Sequence, residues 1–116
     1  MNSLMVVVSI VLALLVTGSA LGKFRRSAQV IESLRRVGVK DAQIPVLGAL
    51  EVAGGLGLVV GLAVQPLAVV AAIGLVVYFA GALLSHLRVK DPVAALAPAA
   101  FLLVLSVATL VLELNR

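Results

Sequence analysis

Residues 44–64, IPVLGALEVAGGLGLVVGLAV, form a long apolar run that carries one carboxyl group, Glu51, and five glycines. A helix rises about 1.5 Å per residue, so a run of this length crosses a hydrocarbon core about 30 Å thick. An ionisable side chain inside such a span is costly, and it turns toward protein or a water-filled cavity rather than lipid. At about 100° per residue, Gly48, Glu51 and Gly55 share a sector about 60° wide. Gly54, Gly57 and Gly61 form an adjoining smooth face, and Gly57-x-x-x-Gly61 has the spacing that lets backbones approach closely. The run therefore predicts the packed centre of a small membrane bundle, with Glu51 turned inward.

Composition supports a bilayer environment for the whole chain. Of 116 residues, 63% are hydrophobic and only 12% charged, whereas a soluble domain is about 45–50% apolar. The net charge of +4 comes with only 3% aromatics, and the cations sit in short loops between spans. That pattern belongs to membrane topology and anionic headgroups, so nucleic acid is excluded as a partner. Without cysteine, disulfides, thiol relays and thiolate metal sites are out of reach. A lone histidine, His86, does not build a metal centre, and no metal site is expected.

In chain order, the first span covers residues 4–21. It ends in Gly18, Ser19 and Ala20, small residues that also suit a cleavable signal, but no basic residue precedes it and cations follow it. It is therefore expected to be a retained helix. Residues 22–40, GKFRRSAQVIESLRRVGVK, bring six Lys or Arg, with Val30, Ile31, Leu34 and Val37 at helical spacing. This predicts a short amphipathic segment at the headgroup level between the first two spans. Gly38 ends it, and Asp41 is expected to cap the second span, 44–64. Gln65-Pro66 is expected to be a two-residue turn, which makes an antiparallel hairpin with the third span, 67–87. There Gly74, Tyr78, Gly81 and Ser85 share one face. Asp91-Pro92 opens the fourth span, 93–112, in which Pro98 should kink the helix unless it lies in the first turn. The expectation is an all-α integral membrane four-helix bundle forming a single domain over 1–116.

Eight of the nine Lys and Arg residues lie in the loops after the first and third spans. Loops 22–43 and 88–92 are therefore expected in the cytoplasm and both termini outside, in a cell membrane such as the bacterial inner membrane. Glu51 and Tyr78 then lie at similar depths, about 10 and 12 Å below the cytoplasmic edge. A hydrogen bond between them, direct or through a ligand or water, is expected.

The Lys/Arg-bearing segment before Gly38-Val39, the pattern Gly48-x-x-Glu51-x-x-Gly54-Gly55-x-x-Leu58, and Gly81-Ala82 followed by His86-Leu87-Arg88 and Asp91 resemble the DoxX-like family of small membrane proteins. The resemblance covers nearly the whole chain and implies a four-helix integral membrane protein. The family name comes from a membrane subunit associated with thiosulfate:quinone oxidoreductase. Relatives are linked to redox stress complexes and to assembly. A redox or assembly partner is thus what the resemblance implies, with no agreed catalytic residues to carry over.

Together these readings give a ligand-binding expectation centred on Glu51 and Tyr78, with Gly48, Gly54, Gly55, Gly81, Ser85 and His86 around them. A carboxyl that takes up or releases a proton suits quinone hydrogen bonding, and the glycine face offers a groove for an acyl or isoprenoid chain. A bound quinone or lipid is the candidate cofactor. Membrane lipid is one expected partner, a soluble protein docking on Lys23 to Arg36 a second, and another copy of the chain a third. The alternatives are a ligand-free structural scaffold, in which Glu51 only fixes helix register, and a proton-coupled small exporter. The exporter outline places the acid in the first span and lines its site with Trp and Tyr, which this chain does not do. No nucleophile–base pair or cofactor fingerprint is present, so a self-contained enzyme is not expected.

Overall fold

The computed structural model describes residues 3–116, and every regular element in them is helical. Five α-helices follow one another: α1 Ser3–Phe24, α2 Ala28–Arg36, α3 Ile44–Val60, α4 Gln65–Arg88 and α5 Val93–Leu114. A 3-10 turn, Asp41–Gln43, leads directly into α3. Four stretches, α1, Asp41–Val60, α4 and α5, are long and apolar enough to cross a membrane. The expected four-helix membrane bundle is what the chain forms. Its long axis measures 41 Å, close to the about 40–45 Å of a bilayer with its headgroups.

The four long helices close a ring in which α1 packs on α3 and α5, and α4 packs on the same two. Short connections make neighbours antiparallel. Leu12, Val16, Leu58, Ala72, Leu75 and Phe79 fill the centre. Leu14, Val77 and Val93 face outward at 68%, 67% and 78% exposure, as lipid-facing residues should. Between helices in lipid, close packing replaces the hydrophobic drive, and the two glycine faces of α3 supply it. Gly48 meets the ring of Phe24, and Gly55 meets Val16, so one face belongs to α1. Gly54 meets Leu75, Gly57 meets Ala71 and Gly61 meets Ala68, so the other belongs to α4. Gly61 admits no substitute without movement, because a Cβ there would lie 2.6 Å from the Ala68 backbone nitrogen.

Several boundaries differ from the sequence expectation. The α3–α4 link is made by residues 61–64, where Gly61, Leu62 and Ala63 donate to carbonyls of the last turn of α3. Gln65-Pro66 is not a turn but the start of α4. Proline lacks the N–H that a first turn leaves unused, and its fixed φ suits that position. Asp41 caps nothing with its side chain. Its carboxylate instead accepts a bidentate pair from Arg35, at 3.0 and 2.8 Å, and lies 3.5 Å from Arg26. The hydrogen bonds Arg35 donates to the Asp41 carboxylate raise its pKa above the ordinary value. The 3-10 turn is closed by Gln43, whose side chain accepts from the Lys40 amide at 3.0 Å. Pro98 lies inside α5 rather than in its first turn. The basic segment is also not continuous, since Lys23 belongs to the last turn of α1 and only residues 28–36 make the separate amphipathic helix α2.

Candidate functional site

Glu51 is fully buried, held on the α3 face that meets α1. Its partner is Lys23, whose Nζ lies 2.7 Å from Oε1 and donates to Ser19 Oγ at 3.0 Å. An ammonium has three donors, and among the described residues the third of Lys23 has no partner. Val16, Ala20 and Lys23 stand at i, i+4 and i+7 on α1 and are all buried. The helical phase of the first span, continued past its apolar end, is the sequence signal that would have found Lys23.

Tyr78 approaches the same place from α4. Its hydroxyl donates to the Leu47 carbonyl at 3.3 Å, one helical turn before Glu51. The expected Glu51–Tyr78 hydrogen bond is thus replaced by two others: the hydroxyl bonds the α3 backbone, and the carboxyl pairs with a lysine that the sequence reading assigned to the headgroup segment. The side chain of Ser85 is turned back on its own helix, donating to Gly81 O at 2.8 Å.

His86 is not a freely solvated interfacial residue. Its Nδ1 lies 2.6 Å from Asp91 Oδ2, with only 12% of the side chain exposed. Asp91, on the α4–α5 loop, also forms an ion pair with α2, its Oδ1 lying 3.4 Å from Arg36 Nε. Arg88 Nη2 donates to the Val37 carbonyl at 3.1 Å. Asp91 therefore ties three segments rather than capping α5, whose N-cap is Pro92.

Between the basic ends of α1, α4 and α5, and beneath α2, lies a cavity of about 840 Å³. Lys23, Leu47, Tyr78, Gly81, Ser85 and His86 line it, with Phe79, Ala82, Ala99 and Leu102 as its apolar wall. Of the eight residues singled out from sequence, Tyr78, Gly81, Ser85 and His86 meet on this surface. Glu51 stands behind Lys23, one helical turn from Leu47. Gly48, Gly54 and Gly55 do not line the cavity, because they are consumed in helix packing. Gly81 is open ground, with nothing within 4 Å of a Cβ placed there. A second apolar groove of about 440 Å³ runs between α3 and α4 past Gly54, Gly57 and Gly74. No cluster that would hold a metal ion occurs among the described residues.

The far end of the bundle carries a second buried carboxyl, Glu113, which the sequence reading did not single out. Arg116 Nη1 lies 3.0 Å from its Oε2 and donates to Gly61 O at 2.7 Å, while Nη2 donates to Leu62 O. Gln65 Nε2 donates to the Glu113 carbonyl at 2.7 Å. Ser106, Thr109 and Glu113, at i, i+3 and i+7, mark the inward face of α5.

Fold and site define a four-helix integral membrane protein with a chamber at its basic end, lined by Lys23, which pairs with the buried Glu51 behind it. The model of the DoxX-like family matches residues 7–109, and the protein belongs to that family. The match takes in every cavity residue named above and leaves out Glu113 and Arg116. Neither a curated protein nor a solved structure matches the chain.

Proposed function

We propose that this protein is an auxiliary membrane protein that holds a quinone-like amphiphile in the chamber beneath α2 and serves a membrane redox or assembly partner. The observation that carries the reading is Lys23, paired with the buried Glu51 behind it, on the wall of a cavity whose lining is mostly apolar. A volume of about 840 Å³ lies in the range of about 300–1,000 Å³ usual for small-molecule sites. Lys23 offers its third donor to a ring carbonyl or other acceptor oxygen. Tyr78, Ser85 and His86 supply further polar groups around a head, and Phe79, Ala99 and Leu102 suit an isoprenoid or acyl tail. The exporter alternative loses its main support, because Lys23 already compensates the Glu51 charge. The scaffold alternative draws on the same ion pair as a rivet between α1 and α3.

Native mass spectrometry of detergent-released protein separates the two. The wild type should carry a discrete hydrophobic mass, and Gly81→Leu, which fills the open ground at that position, should lose it while remaining folded. Bare protein in both, with unchanged folding, would leave the scaffold. The sidedness inferred from the cations, with the basic end cytoplasmic, belongs to the same proposal.

A further inference from the structure

The roof of the chamber differs from its walls. Val30, Ser33, Leu34 and Val37 of α2 and its C-terminal turn close the cavity from above, yet within α2 itself only Ile31 is buried. Little apolar burial therefore holds this helix down. Both flanks pass through the left-handed region, Arg26 at φ 53° and Gly38 at φ 90°. Such turns are places where a change in backbone dihedrals swings a short helix without disturbing its neighbours.

Polar ties do the fastening. Arg36 reaches Asp91 Oδ1 at 3.4 Å, His86 holds Asp91 Oδ2 at 2.6 Å, and Arg88 grips the Val37 carbonyl at 3.1 Å. The Arg36 and Arg88 ties sit at the C-terminal end of α2, and His86 holds Asp91 beneath them. Arg35 pairs with Asp41 across the Gly38 turn. The long helices, by contrast, are joined by interior packing and by the fully buried Glu51 and Glu113. A short helix that buries only Ile31 and, in its C-terminal turn, Val37, with a left-handed turn at each end and ionic fastening to Asp91 and, across the Gly38 turn, to Asp41, has the construction of a cover.

We infer that α2 is a latched cover over the chamber, opened by release of Arg36 and Val37 from Asp91 and Arg88, through which a ligand exchanges with the headgroup layer at the basic end. The inference rests on the reading of this cavity as a ligand site. The amphipathic character of α2 suits both states: its Val30, Leu34 and Val37 face meets the cavity when closed and the acyl boundary when open. His86 holds Asp91 in place for Arg36, so it positions the latch as well as lining the chamber.

The chain has no cysteine, so a single introduced thiol reports opening. Ala99→Cys places it on the cavity wall, where the native residue is 8% exposed, and Ala72→Cys places it in the bundle centre as a control. The full chain in vesicles is labelled with a small methanethiosulfonate reagent in three backgrounds: native latch, Asp91→Asn and Arg88→Gln. Asp91→Asn should speed labelling of Ala99→Cys about tenfold, the ratio set by loss of one charge-assisted hydrogen bond. Arg88→Gln should act in the same direction, and Ala72→Cys should stay slow throughout. Release of a decyl-substituted benzoquinone probe should quicken in the same variants. Equal acceleration at Ala72 would mean general loosening and would overturn the cover, as would unchanged labelling at Ala99 in both variants. Faster labelling with no quinone bound would keep the cover and overturn the ligand reading.

Discussion

Lys23 Nζ stands 2.7 Å from Glu51 Oε1, with the carboxyl wholly withdrawn from the surface. One residue comes from the end of the first span and the other from the middle of the second. Their pairing fixes the rotation of α1 against α3 and supplies the polar wall of the chamber. In lipid a lone charge at either position is costly, so each makes the other tolerable.

Breaking this pair from one side should therefore cost more than removing it. Lys23→Ala or Glu51→Ala should destabilise the bundle by about 3–5 kcal/mol, whereas the Lys23→Met/Glu51→Met double variant should recover most of that loss. Thermal unfolding in detergent, followed by circular dichroism, checks the prediction. Equal losses in all three variants would assign the cost to packing alone.

The glycines divide into two kinds, and substitution should separate them. Gly61→Ala drives a methyl into Ala68, with a contact of 2.6 Å to its backbone, and should cost about 1–3 kcal/mol as overpacking. Gly81→Ala meets nothing within 4 Å, and it should be neutral or stabilising by up to about 1 kcal/mol through helix propensity. The same melting experiment reads both. A neutral Gly61→Ala would mean that the α3–α4 crossing is loose enough to take a methyl group.

At the other end, Arg116 joins α5 to the α3–α4 turn through the Gly61 and Leu62 carbonyls while neutralising Glu113. Arg116→Ala strands a buried carboxylate and should destabilise by about 3–5 kcal/mol. Adding Glu113→Gln should return part of the loss, because the stranded charge disappears while the lost carbonyl contacts do not. Denaturation midpoints of the three variants check the order.

Sidedness is testable with the same cysteine-free background. Val64→Cys at the α3–α4 turn should react with a membrane-impermeant thiol reagent added outside intact cells. Lys40→Cys, at the basic end, should react only after permeabilisation, as the distribution of cations requires. The reverse pattern would invert the proposed orientation.

The sequence by itself determined four membrane-spanning helices, the inward turn of Glu51 and the two packing faces of α3, because hydrophobic length and helical periodicity are local properties. It also placed Tyr78 beside the Glu51 helix, where its hydroxyl reaches the Leu47 carbonyl, since a short hairpin leaves the register of two helices little freedom. Tertiary structure alone decided which cation meets the carboxyl. Lys23 looks like a headgroup residue in sequence, yet the last turn of α1 carries it into the bundle, where only the position of α3 reveals its partner. Asp91 and Glu113 were decided in the same way. Asp91 does more than open the fourth span, pairing with His86 and Arg36, and Glu113 is matched with Arg116 over two carbonyls of the α3–α4 link, because long-range pairing depends on how the helices assemble. Gly54 and Gly81 make the distinction plain: alike in sequence, one is filled by Leu75 and the other opens on the chamber.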